Sequence, residues 1–375
     1  MVPPFGACSR DELFPLYGAR PALGGDAAVL LYLNEMQLCE KVALAAYTTF
    51  GVGGPARWFV EATHEASVVE AVRWAREGGV PWFVLGGGSN VLAADEGFPG
   101  LVLHMAQQGI EQDGDLFRVA AGEEWDRFVS RAVQAGYGGI ECLAGIPGTV
   151  GGTPVQNVGA YGQEVSGTIE TVRVLDTTTM VFRELPAAAC GFAYRTSIFN
   201  SSERGRFIVT RVDYRLRKDA PPTLAYSDLQ KRFAGRSQTP TLAETAAAVR
   251  EIRHSKGMLL VEGEPDCRSA GSFFRNPVIA ESLYEEIAAH STVPAPRFAA
   301  APGTVKVPAA WLVEQAGFPK GFTMGAAGIS SRHTLAIVNR GGATAKDILR
   351  LRDAIVTAVE TKFRIRLEPE PVWLR

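Results

Sequence analysis

Gly145-Ile-Pro-Gly-Thr-Val-Gly-Gly-Thr-Pro-Val-Gln-Asn-Val-Gly-Ala-Tyr-Gly162 holds six glycines and two prolines. Glycine without a side chain lets backbone N–H groups close on a phosphate and tolerates positive φ, at a cost in chain entropy. A second loop of this kind, Gly86-Gly-Gly-Ser-Asn90, leaves the apolar run Pro81-Trp-Phe-Val-Leu85. That run reads as a buried strand bounded by turn residues. Ser89 and Asn90 add side chains that can donate hydrogen bonds to a pyrophosphate. A lone Gly-Gly-Gly is usually a turn, but two such loops in one domain favour a ligand. Composition alone does not name that ligand.

Two nucleotide motifs are set aside. Gly51-Val-Gly-Gly-Pro-Ala56 fits G-x-G-x-x-A by letter, but Trp58-Phe-Val60 then reads as a strand, so the strand–turn–helix context fails. The absence of any Gly-Lys dipeptide excludes the P-loop.

Outward from the loops, the spacing predicts helices over 66–77 and 123–135, and strands at 101–104 and 116–120. Residues 172–217 alternate as antiparallel strands do. A polar, Pro-containing stretch, 218–241, then changes the texture. After it come helices over 242–255, near 280–290 and 308–316, a strand at 334–339, a long helix from Ala345 to Phe363 with Thr344 as N-cap, and a final strand over 364–374. The pattern is α+β.

Length, 375 residues, suggests about two or three domains. A net charge of −2 gives no support to nucleic-acid or membrane-surface binding. Five scattered cysteines without C-x-x-C spacing point away from disulfides and zinc, so no metal is expected, and they suit a reducing cytoplasm. No run approaches the ~20 apolar residues of a membrane span. Residues 1–35 differ in texture from the rest, and Met36 itself reads as a start. They are either an N-terminal extension or the product of an upstream start codon wrongly chosen.

Six segments in order resemble the UDP-N-acetylenolpyruvoylglucosamine reductase family. They are Thr49-Phe-Gly-Val-Gly-Gly-Pro-Ala56, Leu85-Gly-Gly-Gly-Ser-Asn-Val-Leu92, the loop 145–162, Tyr194-Arg-Thr-Ser-Ile-Phe199, Ala270-Gly-Ser-Phe-Phe-Arg-Asn-Pro277 and Leu367-Glu-Pro-Glu370. The resemblance runs from Met36 to the C-terminus. It implies an FAD-binding half of the vanillyl-alcohol oxidase type, made of two α+β subdomains (36–105 and 106–230). A C-terminal α+β substrate domain (231–360) and a strand carrying a catalytic glutamate (361–375) complete it. The implied reaction uses NADPH, through noncovalent FAD, to reduce UDP-N-acetylglucosamine enolpyruvate to UDP-N-acetylmuramate, a peptidoglycan precursor. A cytoplasmic monomer is expected, with neither membrane nor nucleic acid as partner.

The resemblance also implies roles. Gly86, Gly87, Gly88, Ser89 and Asn90, with Pro147, Gly148, Gly151, Gly152, Asn157, Gly159, Ala160 and Tyr161, would hold FAD. Arg195 would pair with the substrate carboxylate, Ser272 would protonate the carbanion-like carbon, and Glu370 would share charge stabilisation with Arg195. A strand would put Glu368 on the same face as Glu370, so spacing does not choose between them. Tyr226 in Leu224-Ala-Tyr-Ser-Asp-Leu229 resembles the tyrosine loop of the longer family type, and Lys256 and Asn276 would reach the nucleotide. Thr48 stands where many relatives have Asn.

Overall fold

The computed structural model describes residues 36–375; the expected extension, 1–35, lies outside the described residues. The chain begins with β1 (Leu38–Ala43) and β2 (Pro55–Ala62), followed by α1 (Glu65–Glu77) and β3 (Trp82–Leu85). Next come β4 (Val91–Ala93) and β5 (Phe98–Met105). The sheet order is β1-β2-β5-β3, with β2, β5 and β3 parallel. Helix α1 covers it with Val68, Ala71, Val72 and Ala75, all at one helical face and all fully buried. Gly79, at φ +62°, turns the chain from the helix into β3. Because β3 is parallel to its neighbour, its carboxyl end opens into the first glycine loop.

The second unit is an antiparallel sheet of β6 (Ile110–Asp113), β7 (Leu116–Ala120), β8 (Ile169–Asp176), β9 (Val181–Pro186) and β10 (Phe207–Arg215), in the order β9-β8-β10-β7-β6. Helix α2 (Trp125–Gln134) packs Trp125, Phe128 and Val129 onto it. Trp125 is buried, and its indole N–H donates to the Leu143 carbonyl at 3.0 Å, so the burial strands no donor. A short helix not foreseen in the polar stretch, α3 (Ser227–Arg232), and α4 (Leu242–Ser255) join the same core through Leu229, Ala246 and Val249. Thr241 and Glu244 close a capping box that starts α4.

The third unit carries β11 (Val278–Ala280), α5 (Glu281–His290), β12 (Phe298–Ala299), β13 (Thr304–Lys306), α6 (Ala309–Gln315), β14 (Thr323–Met324), β15 (Ala327–Ile329), β16 (Ile337–Asn339) and α7 (Ala345–Phe363). Thr344 caps α7 as expected, reciprocally with Asp347. Its core takes in Phe50, Val52 and Leu92 from the first unit, and the last strand, β17 (Val372–Leu374), pairs in parallel with β4. The C-terminal strand is therefore tied to the first unit just after the first glycine loop.

Two expected strands are much shorter than the sequence suggests. Of 334–339 only Ile337–Asn339 is strand, because Ser330 to Ala336 closes into a turn through Ala336 N to His333 O and Ser330 N to Ala336 O. Of 364–374 only Val372–Leu374 is strand. Arg364 ends α7 at φ +57°, and Pro369 and Pro371 have no N–H to give a ladder. The same-face argument for Glu368 and Glu370 falls with that strand. Glu368 is exposed, whereas Glu370 is turned inward.

Candidate active site

The two glycine loops meet. A Cβ on Gly87 would stand 2.7 Å from the Gly148 Cα, one on Gly86 would stand 2.7 Å from Thr149 Oγ1, and one on Gly148 would stand 2.9 Å from Ser89 Oγ. Gly88, at φ +61°, is pressed against the Tyr47 carbonyl, where any side chain would collide. Asn90 Nδ2 donates to Gln156 Oε1 at 3.0 Å and joins the loops directly. The pairing leaves Thr149 Oγ1 buried with no hydrogen-bond partner, and nothing lies within 4 Å of the Cβ direction of Gly152. A close backbone cradle with an unanswered hydroxyl fits an anionic ligand such as a pyrophosphate.

The start of the second loop is held from both sides. Asp126 accepts from Gly145 N at 2.6 Å, and the buried Arg253 donates from Nε to Gly145 O at 2.9 Å. Burial pulls the Arg253 guanidinium below its usual range, against the opposing pull of Tyr161 and Asp126. The Asn157 side chain is committed inside the loop, donating to Glu164 and to Ala193 O and accepting from Ser166 N. It therefore shapes the cradle, and its bond to Ala193 reaches the turn that carries Arg195.

Arg195 occupies the corner of that turn, where Ala193 and Thr196 exchange backbone hydrogen bonds. Its φ is +56°, and Asn200 Nδ2 holds its carbonyl at 3.1 Å. Of the seven non-glycine residues with positive φ among the described residues, Asn157, Tyr161 and Arg195 lie here. Backbone in that region costs about 1–3 kcal/mol for such residues, so the surrounding contacts must hold it. The guanidinium Nε of Arg195 comes 3.9 Å from Glu370 Oε2.

Glu370 reaches this place through backbone pairing: its N–H donates to Phe273 O at 2.9 Å, Phe274 bridges Pro369, and Arg275 N donates to Glu368 O at 3.0 Å. Asn90 Nδ2 also donates to Glu370 O at 3.3 Å, linking the first glycine loop to the C-terminal segment. Burial raises the Glu370 carboxyl above the ordinary range, and Arg195 and Arg275 only partly oppose it. Arg275 Nε is itself buried without a partner.

Ser272 adjoins this pairing, and its Oγ lies 3.1 Å from Nε2 of His333. Burial, together with Lys256, Lys320 and Arg253, pushes the His333 imidazole down to about 4, so it is neutral at physiological pH. Lys256 forms an ion pair with Asp228 at 2.6 Å and stands 5.8 Å from the ring centroids of Tyr161 and Tyr226. Those rings meet edge to face at 5.2 Å, with Tyr161 buried and Tyr226 exposed. Asn276 uses its side-chain oxygen to accept from Ala309 N at 2.9 Å, at the start of α6. Thr48 closes the turn before β2 by donating to Val52 O at 3.0 Å.

Sequence reasoning passed over His333, Lys320, Thr149 and Arg253. Arg275 sat within a quoted motif and could have been singled out. A lone histidine in Ser330-Ser-Arg-His333 carries no local signal of its partner 61 residues earlier. A separate cleft of about 480 Å³ lies between Thr63–Glu65 and Arg118, Arg173 and Arg211. It touches none of the loop residues, and its arginines are already paired with carboxylates.

Residues 56–183 match the family model described as FAD binding domain, and residues 264–374 match that of the UDP-N-acetylenolpyruvoylglucosamine reductase C-terminal domain. UDP-N-acetylenolpyruvoylglucosamine reductase of Thermobifida fusca is 44% identical over 89% of this chain and 97% of its own. The protein of that name from Streptomyces coelicolor is 42% identical over 91% of each chain. The crystal structure of the Thermus caldophilus reductase superposes with a TM-score of 0.64 at 29% identity, covering 91% of this chain and all of that one. The flavin-binding fold expected from the family resemblance is thereby established, as is FAD as the cofactor. With both halves matched and the relatives covered almost end to end, this chain belongs to the UDP-N-acetylenolpyruvoylglucosamine reductase family, whose members reduce the enolpyruvyl sugar nucleotide to UDP-N-acetylmuramate in peptidoglycan synthesis.

Proposed function

We propose that Arg195, Ser272 and Glu370 carry the reduction of UDP-N-acetylglucosamine enolpyruvate in this chain, and that the two glycine loops hold FAD noncovalently. The chemistry that FAD supplies when bound is transfer of a hydride from NADPH to the terminal enolpyruvyl carbon. Negative charge then develops on the adjacent carbon and its carboxylate. Arg195 answers it with a permanent, planar positive charge. Glu370, biased by burial toward its neutral form, donates a hydrogen bond to the same carboxylate rather than repelling it. Ser272 gives its hydroxyl proton to the adjacent carbon: the O–H bond breaks, the C–H bond forms, and the seryl oxygen keeps the electron pair.

In the cradle, the backbone of Gly86, Gly87, Gly88, Gly148, Gly151 and Gly152, with Ser89, Asn90 and Thr149, faces the pyrophosphate. Pro147, Asn157, Gly159, Ala160 and Tyr161 shape its walls. Tyr226 and Lys256 take the substrate's diphosphate, Lys256 exchanging Asp228 for a phosphate, while Asn276 acts from its position at the start of α6. The observation that carries the reading is convergence: Asn90 of the first loop, Glu370 and Phe273 beside Ser272 are linked by successive hydrogen bonds, with Glu370 Oε2 3.9 Å from Arg195 Nε.

No described helix is long and apolar enough to cross a membrane. The reading includes a cytoplasmic monomer; the net charge of −2 gives no support to a nucleic-acid partner, and sedimentation of the purified protein checks the monomer. The decisive assay is NADPH oxidation by the flavin-loaded protein. It is expected to require the enolpyruvyl nucleotide and to fall at least ~10³-fold in Arg195→Met. Oxidation that ignores the nucleotide contradicts the reading.

A further inference from the structure

Ser272 has an exacting task for a hydroxyl. It owns one proton, and that proton must point at the substrate carbon when charge develops there. A hydroxyl rotates freely unless something holds its oxygen. The group within hydrogen-bond distance is His333 Nε2, at 3.1 Å. The polarity of that bond decides what Ser272 can do. If Nε2 were bare, it would accept the seryl proton and turn it away from the substrate. If Nε2 carries hydrogen, it donates to Oγ, leaves the seryl proton for the substrate, and remains bonded to the alkoxide when the proton has gone. We propose that His333 is a positioning residue for Ser272, donating from Nε2–H to the hydroxyl oxygen so that the seryl proton is aimed at the substrate carbon. The inference rests on the assignment of Ser272 as proton donor.

Three observations support it. The turn that carries His333 is pinned: Asp266, itself buried, accepts from Ser330 Oγ at 3.0 Å, Ser331 N at 3.0 Å and Ser331 Oγ at 2.6 Å, and Ser330 Oγ accepts from His333 N at 3.2 Å. The Ser272 side is clamped to the same segment, because Phe273 N donates to Leu335 O at 2.7 Å. Serine and histidine therefore lie on paired strands of chain, with little freedom to separate. Burial, and after it the positive charges of Lys256, Lys320 and Arg253, hold the imidazole neutral. A neutral imidazole is too weak an acid to pass its own proton on. Oγ therefore recovers its proton from water after the product C–H bond has formed, and His333 is unchanged over the cycle.

The test uses flavin-loaded protein, reduced anaerobically and mixed with saturating enolpyruvyl nucleotide. His333→Phe is expected to slow flavin reoxidation ~10- to 100-fold and to enlarge its solvent deuterium isotope effect, because proton delivery becomes limiting. Flavin reduction by NADPH and the Kd for the nucleotide should stay within about 3-fold. His333→Gln, which returns an N–H donor of similar reach, should recover most of the rate. His333→Leu is the second removal variant if the Phe ring disturbs the fold, as flavin absorbance and melting would reveal. An unchanged rate in His333→Phe overturns the proposal. So does a raised Kd with an unchanged saturating rate, which would make His333 a substrate ligand. A Gln variant as slow as Phe overturns the donor role. Ser272→Ala separates the two levels: if it reoxidises at the wild-type rate, Ser272 itself is misassigned. If it collapses while His333→Phe does not, only the histidine inference fails.

Discussion

The glycine cradle and the Ser272–Glu370 segment lie against each other, yet they work by opposite means. In the cradle the feature that counts is missing side chain: a methyl group on Gly87 would collide with the Gly148 backbone, and one on Gly86 or Gly148 with the hydroxyl of Thr149 or Ser89. In the C-terminal segment the proposed active features are side chains, Ser272, Glu370 and His333, set out on ordinary backbone pairings. A cradle built from backbone fails by steric exclusion and loses its cofactor. A constellation built from side chains loses chemistry while the cofactor stays. The two regions should therefore be separable by mutation.

The largest effect expected is in the side-chain region. Ser272→Ala should slow the substrate half-reaction ~10³-fold or more with bound flavin intact; stopped-flow absorbance measures it. Glu370→Gln should follow at about 10- to 100-fold, because an amide N–H keeps the donation but is a weaker donor than a carboxylic O–H. If Gln is instead as damaging as removal of the side chain, the neutral-carboxyl role is wrong. In the cradle, Gly88→Ala combines strain at φ +61° with a collision against Tyr47, and should lower flavin affinity by at least ~10-fold. Flavin content after gel filtration reports it. If that variant retains flavin and loses only chemistry, the contrast between the regions breaks down.

A smaller effect sharpens the contrast through pH. The Glu370 carboxyl is raised in the folded protein, so the folded state favours its neutral form. That contribution to stability is complete below the ordinary carboxylate range and is lost as pH rises through the raised value. Glu370→Gln should therefore melt above the wild type at neutral pH, with the gap closing as pH falls below about 4.5. Active-site residues often trade stability for function in this way. Smallest is Lys256→Met, for which a KM increase of about 10-fold with unchanged flavin content is expected in steady-state assays.

The cradle was legible in the sequence because glycine, proline and a preceding apolar run are local signals. Helices 242–255 and 345–363 were legible to the residue for a similar reason: the Thr241–Glu244 and Thr344–Asp347 caps lie within four positions of each start. The segment around Glu370 was not. Its apolar and charged residues suggested one strand, but Arg364 and two prolines prevent a ladder. Burial distinguishes Glu370 from Glu368, and the inward position depends on partners far back in the chain, Phe273 by backbone pairing and Arg195 by proximity. His333 was invisible for the same reason, since its meaning lies wholly in a long-range contact with Ser272.

Flavin content and both half-reactions of Ser272→Ala, measured on one preparation, test the account most directly. The prediction is a yellow protein whose reduction by NADPH stays within about 3-fold of wild type while reoxidation by the enolpyruvyl nucleotide falls ~10³-fold. Loss of flavin, or slowing of both half-reactions together, would contradict the separation of cradle from chemistry on which the account rests.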